Sequence, residues 1–254
     1  MSKNAITKTA EQQLHFFEDQ LAAMAMETVK AEQSTLGTAF LSTKSGVLTY
    51  RGNPVANNAL DCVILAGPIE RLYYDSRYDP TKTVGPKCFA IATAATGMAP
   101  SDASEGKQHT TCEGCPQNEW GSSANGGKGK ACRETRRLLI LPADSIASAS
   151  AVEAAEVVAL RPPVTSIRNY TTYIQTIAAT LRRPTLGVVT TLAVVPDAKT
   201  QFKVTFTMKS VVQDADVVNA LIMRATSENA KALESVAFAG DDGAPETSAQ
   251  STRF

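Results

Sequence analysis

Short β-rich runs, one long Gly/Ser/Lys-rich insertion and amphipathic stretches before and after them predict an α+β protein: a small antiparallel OB-like β-barrel with flanking helices. Residues 38–44, 47–51, 60–66, 69–75, 87–93 and 135–141 supply the barrel strands. Ser-Gly, Gly-Asn-Pro and Gly-Pro turns break the first four of them. Such an insertion, residues 98–130, is too long for an ordinary hairpin loop and must be tied down by something.

In chain order, residues 9–30 read as an amphipathic helix, with Thr9 and Gln12 at capping-box spacing and Leu14, Phe17, Leu21 and Met24 on one face. After the barrel strands, residues 165–181 form a second helix whose stripe is Ile167, Tyr170, Ile174, Ile177 and Leu181. Residues 186–195 and 201–209 alternate as two strands around a Pro196-Asp197 turn. A last helix follows Asp214, with Val217, Val218, Leu221, Ile222 and Ala225 as its apolar face. From 240 onward the chain is polar and acidic and reads as a disordered tail. The organisation is therefore a helix over 1–35, a core over 36–239 with its insertion at 88–132, and a tail over 240–254.

Four of the five cysteines crowd into that insertion as Cys88-x23-Cys112-x2-Cys115-x16-Cys132. A Cys-x-x-Cys turn aims two thiolates at one tetrahedral cation, and the flanking cysteines complete the set. This predicts a structural Zn2+ ion closed to water, so that the metal staples the loop and does no chemistry. A redox pair, an iron–sulfur cluster, unrelated buried thiols, or His109 in place of one thiolate are the alternatives. Structural disulfides fit poorly with an odd cysteine count and no apolar leader core. Cys62, in the run Cys62-Val63-Ile64-Leu65, reads as a core residue.

The 254 residues carry 25 basic and 25 acidic side chains, but unevenly. Residues 120–140 hold Lys128, Lys130, Arg133, Arg136 and Arg137 against Glu134 alone. Residues 161–184 hold Arg161, Arg168, Arg182 and Arg183 with no acid, while 211–254 are acidic. Such asymmetry suits a polyanion-binding face. No apolar run is long enough to cross a bilayer. With only His15 and His109, and with no Gly-x-Ser-x-Gly, His-Glu-x-x-His or intact P-loop, the chain does not read as an enzyme. Aromatic and basic residues instead interleave: Arg71, Tyr73, Tyr74, Arg77 and Tyr78, then Lys82 and Lys87, and the sole tryptophan, Trp120, beside the cysteine knuckle. Ring faces for stacking and cations for phosphates are what single-stranded nucleic acid requires.

The runs Pro86-Lys87-Cys88-Phe89, Cys112-Glu113-Gly114-Cys115-Pro116-Gln117-Asn118-Glu119-Trp120-Gly121-Ser122, Gly127-Lys128-Gly129-Lys130-Ala131-Cys132 and Arg136-Arg137-Leu138 resemble a group of tailed-bacteriophage single-stranded DNA-binding proteins with a four-cysteine zinc insertion in an OB fold. The motif covers about 55 residues, with looser similarity over 46–206. The resemblance implies a role in phage replication, recombination or repair in the cytoplasm of the infected host cell. It also implies binding without sequence preference and replication partners recruited through the acidic tail and Phe254, with homo-oligomerisation left open. Arg253 before that phenylalanine departs from the pattern. A zinc-stabilised protein-interaction or virion-assembly module without DNA binding is the alternative reading.

Overall fold

The computed structural model describes Phe17, Gln20, Leu21, Met24 and residues 39–75, 85–123 and 127–234. The chain divides into one unit over Met1–Thr38 and a second over Ala39–Phe254. In the first, the four described residues are helical. The rest of the helix predicted over 9–30 lies outside the described residues, as do His15, Arg77, Tyr78, Lys82 and the tail predicted over 240–254.

The second unit is built on an eight-stranded sheet. Its strands are β1 (Ala39–Ser42), β2 (Thr49–Tyr50), β3 (Asn53–Pro54), β4 (Ala59–Ala66), β8 (Leu138–Pro142), β9 (Val158–Leu160), β10 (Val188–Asp197) and β11 (Gln201–Val211). Their order is β11-β10-β4-β8-β9-β1-β2-β3, antiparallel throughout except for the parallel pair β1–β9. A second sheet of three strands, β5 (Ile69–Tyr73), β6 (Cys88–Ala92) and β7 (Cys132–Arg136), has β5 at its centre. The helices are α1 (Ala149–Ala154), α2 (Ile167–Leu181) and α3 (Ala215–Glu234).

This corrects the expected small OB-like barrel. The main sheet is an open half-barrel that curls through 186° and leaves its edges 15 Å apart. The physical reason lies in two uninterrupted apolar runs. Cys62, Val63, Ile64 and Leu65 of β4 and Leu138, Leu139, Ile140 and Leu141 of β8 are all buried, so the central strands are covered on both faces. Val63, Leu65, Leu139 and Leu141 face a layer formed with Val152 of α1 and Val217, Leu221 and Ala225 of α3. Cys62, Ile64, Leu138 and Ile140 face the other way, into a core shared with Leu160, Leu192, Val204 and Tyr170 of α2. A strand with water on its outer face alternates apolar and polar residues, whereas these do not. Cys62 is a core residue, as its surroundings in sequence predict.

Each helix follows from local chemistry. Ser148 starts α1 by accepting a hydrogen bond from the Ala151 amide at 3.2 Å. Along α2, Tyr170 and Ile177 of the predicted stripe are buried together with Tyr173, which lies outside that stripe, and the helix stops where Arg182 turns left-handed (φ 52°), two residues before Pro184. Asp214 caps α3 by accepting from the amides of Asp216 and Val217 at 2.9 and 3.0 Å. Arg224 of α3 donates to the carbonyls of Glu153 and Ala155, satisfying the end of α1. Among the described residues no helix is long and apolar enough to cross a membrane.

Candidate nucleic-acid interface

The insertion is carried on a ribbon. β4 continues into β5 across Gly67-Pro68, and β7 continues into β8 across Arg137. The pairs β4–β8 and β5–β7 are therefore one antiparallel ribbon that leaves the main sheet at a bend. The predicted strand 135–141 is thus two strands, broken at Arg137. At the bend the Arg137 amide donates to the Pro68 carbonyl at 3.0 Å. Gly67 is required there, since a Cβ would lie 2.6 Å from Tyr170 Oη and 3.0 Å from Leu138 Cδ2.

Beneath the bend sits a buried ionic triad. Glu70, 1% exposed, accepts from Arg137 Nε at 2.6 Å and from Arg161 Nε at 2.6 Å. Arg137 also reaches the Ala232 carbonyl at 3.4 Å, and Arg161 lies 4.8 Å over the Phe40 ring. Burial, partly opposed by Glu70, holds the Arg137 guanidinium below its ordinary pKa. Arg137, a nucleic-acid contact by sequence, is a core residue here.

On the three-stranded sheet, register places Cys88 and Cys132 on either side of Tyr73, and Ala90 and Glu134 on either side of Arg71. Arg71 is buried and donates to Glu134 from Nε and Nη2 at 3.1 and 2.9 Å; Arg136 lies 3.4 Å from the same carboxylate. Burial works against the Glu134 charge, but the two arginines outweigh it and keep the carboxyl below its usual range. Cys88, Cys112, Cys115 and Cys132 line one cavity with Arg71 and Tyr73.

The zinc expectation does not survive this geometry. Among the described residues, no group of three or more His, Cys, Asp or Glu could hold a metal ion. The cysteines are free thiols. Burial raises Cys112 and takes Cys132 to about 12, with the Arg71 charge opposing in both cases. His109 is exposed on its loop, where Nδ1 is paired with Thr111.

What ties the insertion is hydrogen bonding and a small apolar cluster. Ser101 N bonds Phe89 O at 2.8 Å, Gly106 N bonds Lys87 O at 2.8 Å, and Cys112 N bonds Met98 O at 2.8 Å. Met98 and Cys112 pack with Ile69 and Ala90. Neutral buried thiols are poor nucleophiles. At pH 8 we therefore expect Ellman's reagent to react slowly with the native chain and with all five cysteines once it is denatured. Rapid native reaction at Cys112 or Cys132 would contradict the burial effect.

Beyond the knuckle, residues 116–123 and 127–131 are hydrogen-bonded to each other like the two arms of a hairpin. Asn118 N bonds Cys115 O at 2.8 Å and Asn118 Nδ2 bonds Cys112 O at 2.9 Å. The amides of Gly121 and Ser123 both donate to Gly129 O, and Ala131 N donates to Ser122 Oγ at 2.9 Å. Trp120 stands on this hairpin, 78% exposed, with Lys130 Nζ 5.2 Å from the ring centroid and 3.2 Å from Asn118 Oδ1. Lys128 is exposed on the same hairpin and Arg133 is half-buried at the start of β7.

The other predicted contacts are dispersed. Lys87 pairs with Asp75 at 2.9 Å. Tyr73 lines the thiol cavity, and Tyr74 is half-buried, its hydroxyl pKa raised mainly by burial. The structure thus brings Lys130 to the Trp120 ring, leaves Lys128 exposed on the same segment, and takes Arg71 and Arg137 inside. The triad partner Glu70 carries no signal in the sequence, because its arginines lie 67 and 91 residues away.

Fold and site together define an α+β protein with an open half-barrel and a hairpin-borne tryptophan–lysine platform. Compared with protein-family models, curated proteins and solved structures, the chain matches none. The resemblance to the phage zinc-insertion OB family is therefore corrected on two findings: the sheet is not a closed barrel, and the described residues hold no metal-binding group.

Proposed function

We propose that this chain binds single-stranded DNA without sequence preference, and that it does so without catalysis. The observation that carries this reading is the Trp120–Lys130 pair: an indole mostly in water with one ammonium 5.2 Å from its ring centroid. Water does not favour so large an apolar face in the open. A base stacked on it removes that face from solvent while Lys128 and Lys130 meet phosphates. Stacking tolerates any base, so affinity without sequence preference follows from the same geometry.

Trp120 is the only tryptophan, so its fluorescence reports on the site directly. Titration with oligo-dT is expected to quench it, with affinity falling steeply as salt rises, at a log–log slope of about −0.7 per phosphate neutralised. Trp120→Ala should weaken binding by roughly 1–3 kcal/mol, a loss of about five- to 150-fold, followed by anisotropy of a labelled oligonucleotide. The substitution is on the surface and should leave thermal stability unchanged. Absence of binding at low salt would reject the proposal and favour a protein-interaction module.

A further inference from the structure

Because the half-barrel is open, β11 is an edge strand with no neighbouring strand on its outer side among the described residues. Closed barrels abolish such edges, and open sheets guard them. One stretch of β11 is guarded. The Val204 amide donates to Ser166 Oγ at 2.8 Å and the Val204 carbonyl accepts from Asn169 Nδ2 at 2.9 Å. Val204 therefore points its backbone groups outward, away from β10. The alternation of an antiparallel ladder turns the groups of Phe206 and Met208 the same way, up to the register shift that leaves Lys209 unpaired in the ladder between Met208 and Ser210. Among the described residues no side chain caps these two as Ser166 and Asn169 cap Val204.

The charge guard is also spent. Lysines commonly protect an edge strand, but Lys203 is paired with Asp197 at 3.1 Å and Lys209 with Asp61. Residues Thr207 to Ser210 are exposed, Met208 by 40%, and the strand contains neither proline nor glycine.

We propose that this free stretch pairs with the same stretch of a second copy, antiparallel about a two-fold axis at Thr207. Register and hydrogen-bond phase agree only with that kind of centre. Phe206 then faces the partner copy's Met208, and each such pair exchanges both of its backbone hydrogen bonds. Met208 then lies beside the other copy's Phe206, whose ring packs on Tyr170 and Tyr173 of its own α2, and the contact is made twice by symmetry. Thr207 meets its own counterpart, the ladder closes at the register shift beyond Met208, and no like charges stand opposite each other. The ladder ends where the Ser166 and Asn169 caps begin, so the dimer is weak and depends on concentration. It is independent of nucleic-acid binding.

Sedimentation velocity of the full chain tests this. The wild type should rise from one to two chain masses as concentration increases. Thr207→Asp and Thr207→Lys each place like charges at the axis and should be monomeric, while an equimolar mixture of the two should restore the two-chain mass. Met208→Pro removes an outward amide that β10 does not use, and should also stay monomeric with its circular dichroism unchanged. Ile222→Ser, on the exposed face of α3, should still dimerise. A wild type that is monomeric at every concentration overturns the proposal. So does a dimer that survives Thr207→Asp and Met208→Pro, or folded charge variants that mixing does not reunite.

Discussion

Glu70→Gln is expected to lower stability by about 3–5 kcal/mol, the largest single effect in this chain. Among the described residues the Glu70 carboxylate pairs with both Arg137 and Arg161, whose side chains are almost wholly buried. Glutamine keeps the shape but leaves two guanidiniums facing each other in a medium where neither is solvated. The triad already carries one excess positive charge, which the Ala232 carbonyl in the last turn of α3 helps to offset. Removing the anion leaves two. Urea unfolding followed by circular dichroism measures the loss, and the melting temperature should fall by on the order of 10 °C. Adding Arg137→Met to Glu70→Gln removes one of the stranded cations. The double variant should therefore be more stable than the sum of the two single losses predicts. Additive losses would mean that the groups do not interact.

Leu138→Ala should cost about 2–5 kcal/mol. Leu138 is fully buried at the first position of β8, beside Ile64 and Ile140 and next to the site where Gly67 admits the Tyr170 hydroxyl. Its loss empties space at the bend where the ribbon leaves the main sheet, and a strand pinned on both faces cannot collapse to refill it. Leu138→Met, which nearly conserves volume, should cost less than about 1.5 kcal/mol. Both are read from the same urea curves. Equal losses for the two substitutions would mean that cavity formation is not the cause.

Some of this architecture was legible in local chemistry. The α2 stripe through Tyr170 and Ile177, the Asp214 cap of α3, and the alternating β10 and β11 depend on residues a few positions apart. The short helix α1 carried a signal, Ser148 followed by alanines, that the strand-centred reading passed over. The barrel expectation failed at Cys62–Leu65 and Leu138–Leu141. A run of apolar residues says that a strand is buried on both faces, but not which layers bury it. Here α1 and α3 cover one face and α2 the other, and two covered faces leave an open sheet in place of a small barrel.

The site divides along the same line. Composition and order alone determined that a cysteine-rich, Gly/Ser/Lys-rich arm carrying Trp120, Lys128 and Lys130 would interrupt the strands. Those residues are neighbours in the chain, and a short hairpin keeps them so. Only the tertiary structure decided the fate of the long-range groups. Arg71 and Arg137 belong to a basic, aromatic-rich pattern that reads as surface, yet Glu134 and Glu70 draw them inside. Whether an arginine meets a phosphate or a buried carboxylate depends on what lies within a few ångströms of it. For Arg137 that is Glu70, 67 residues away along the chain.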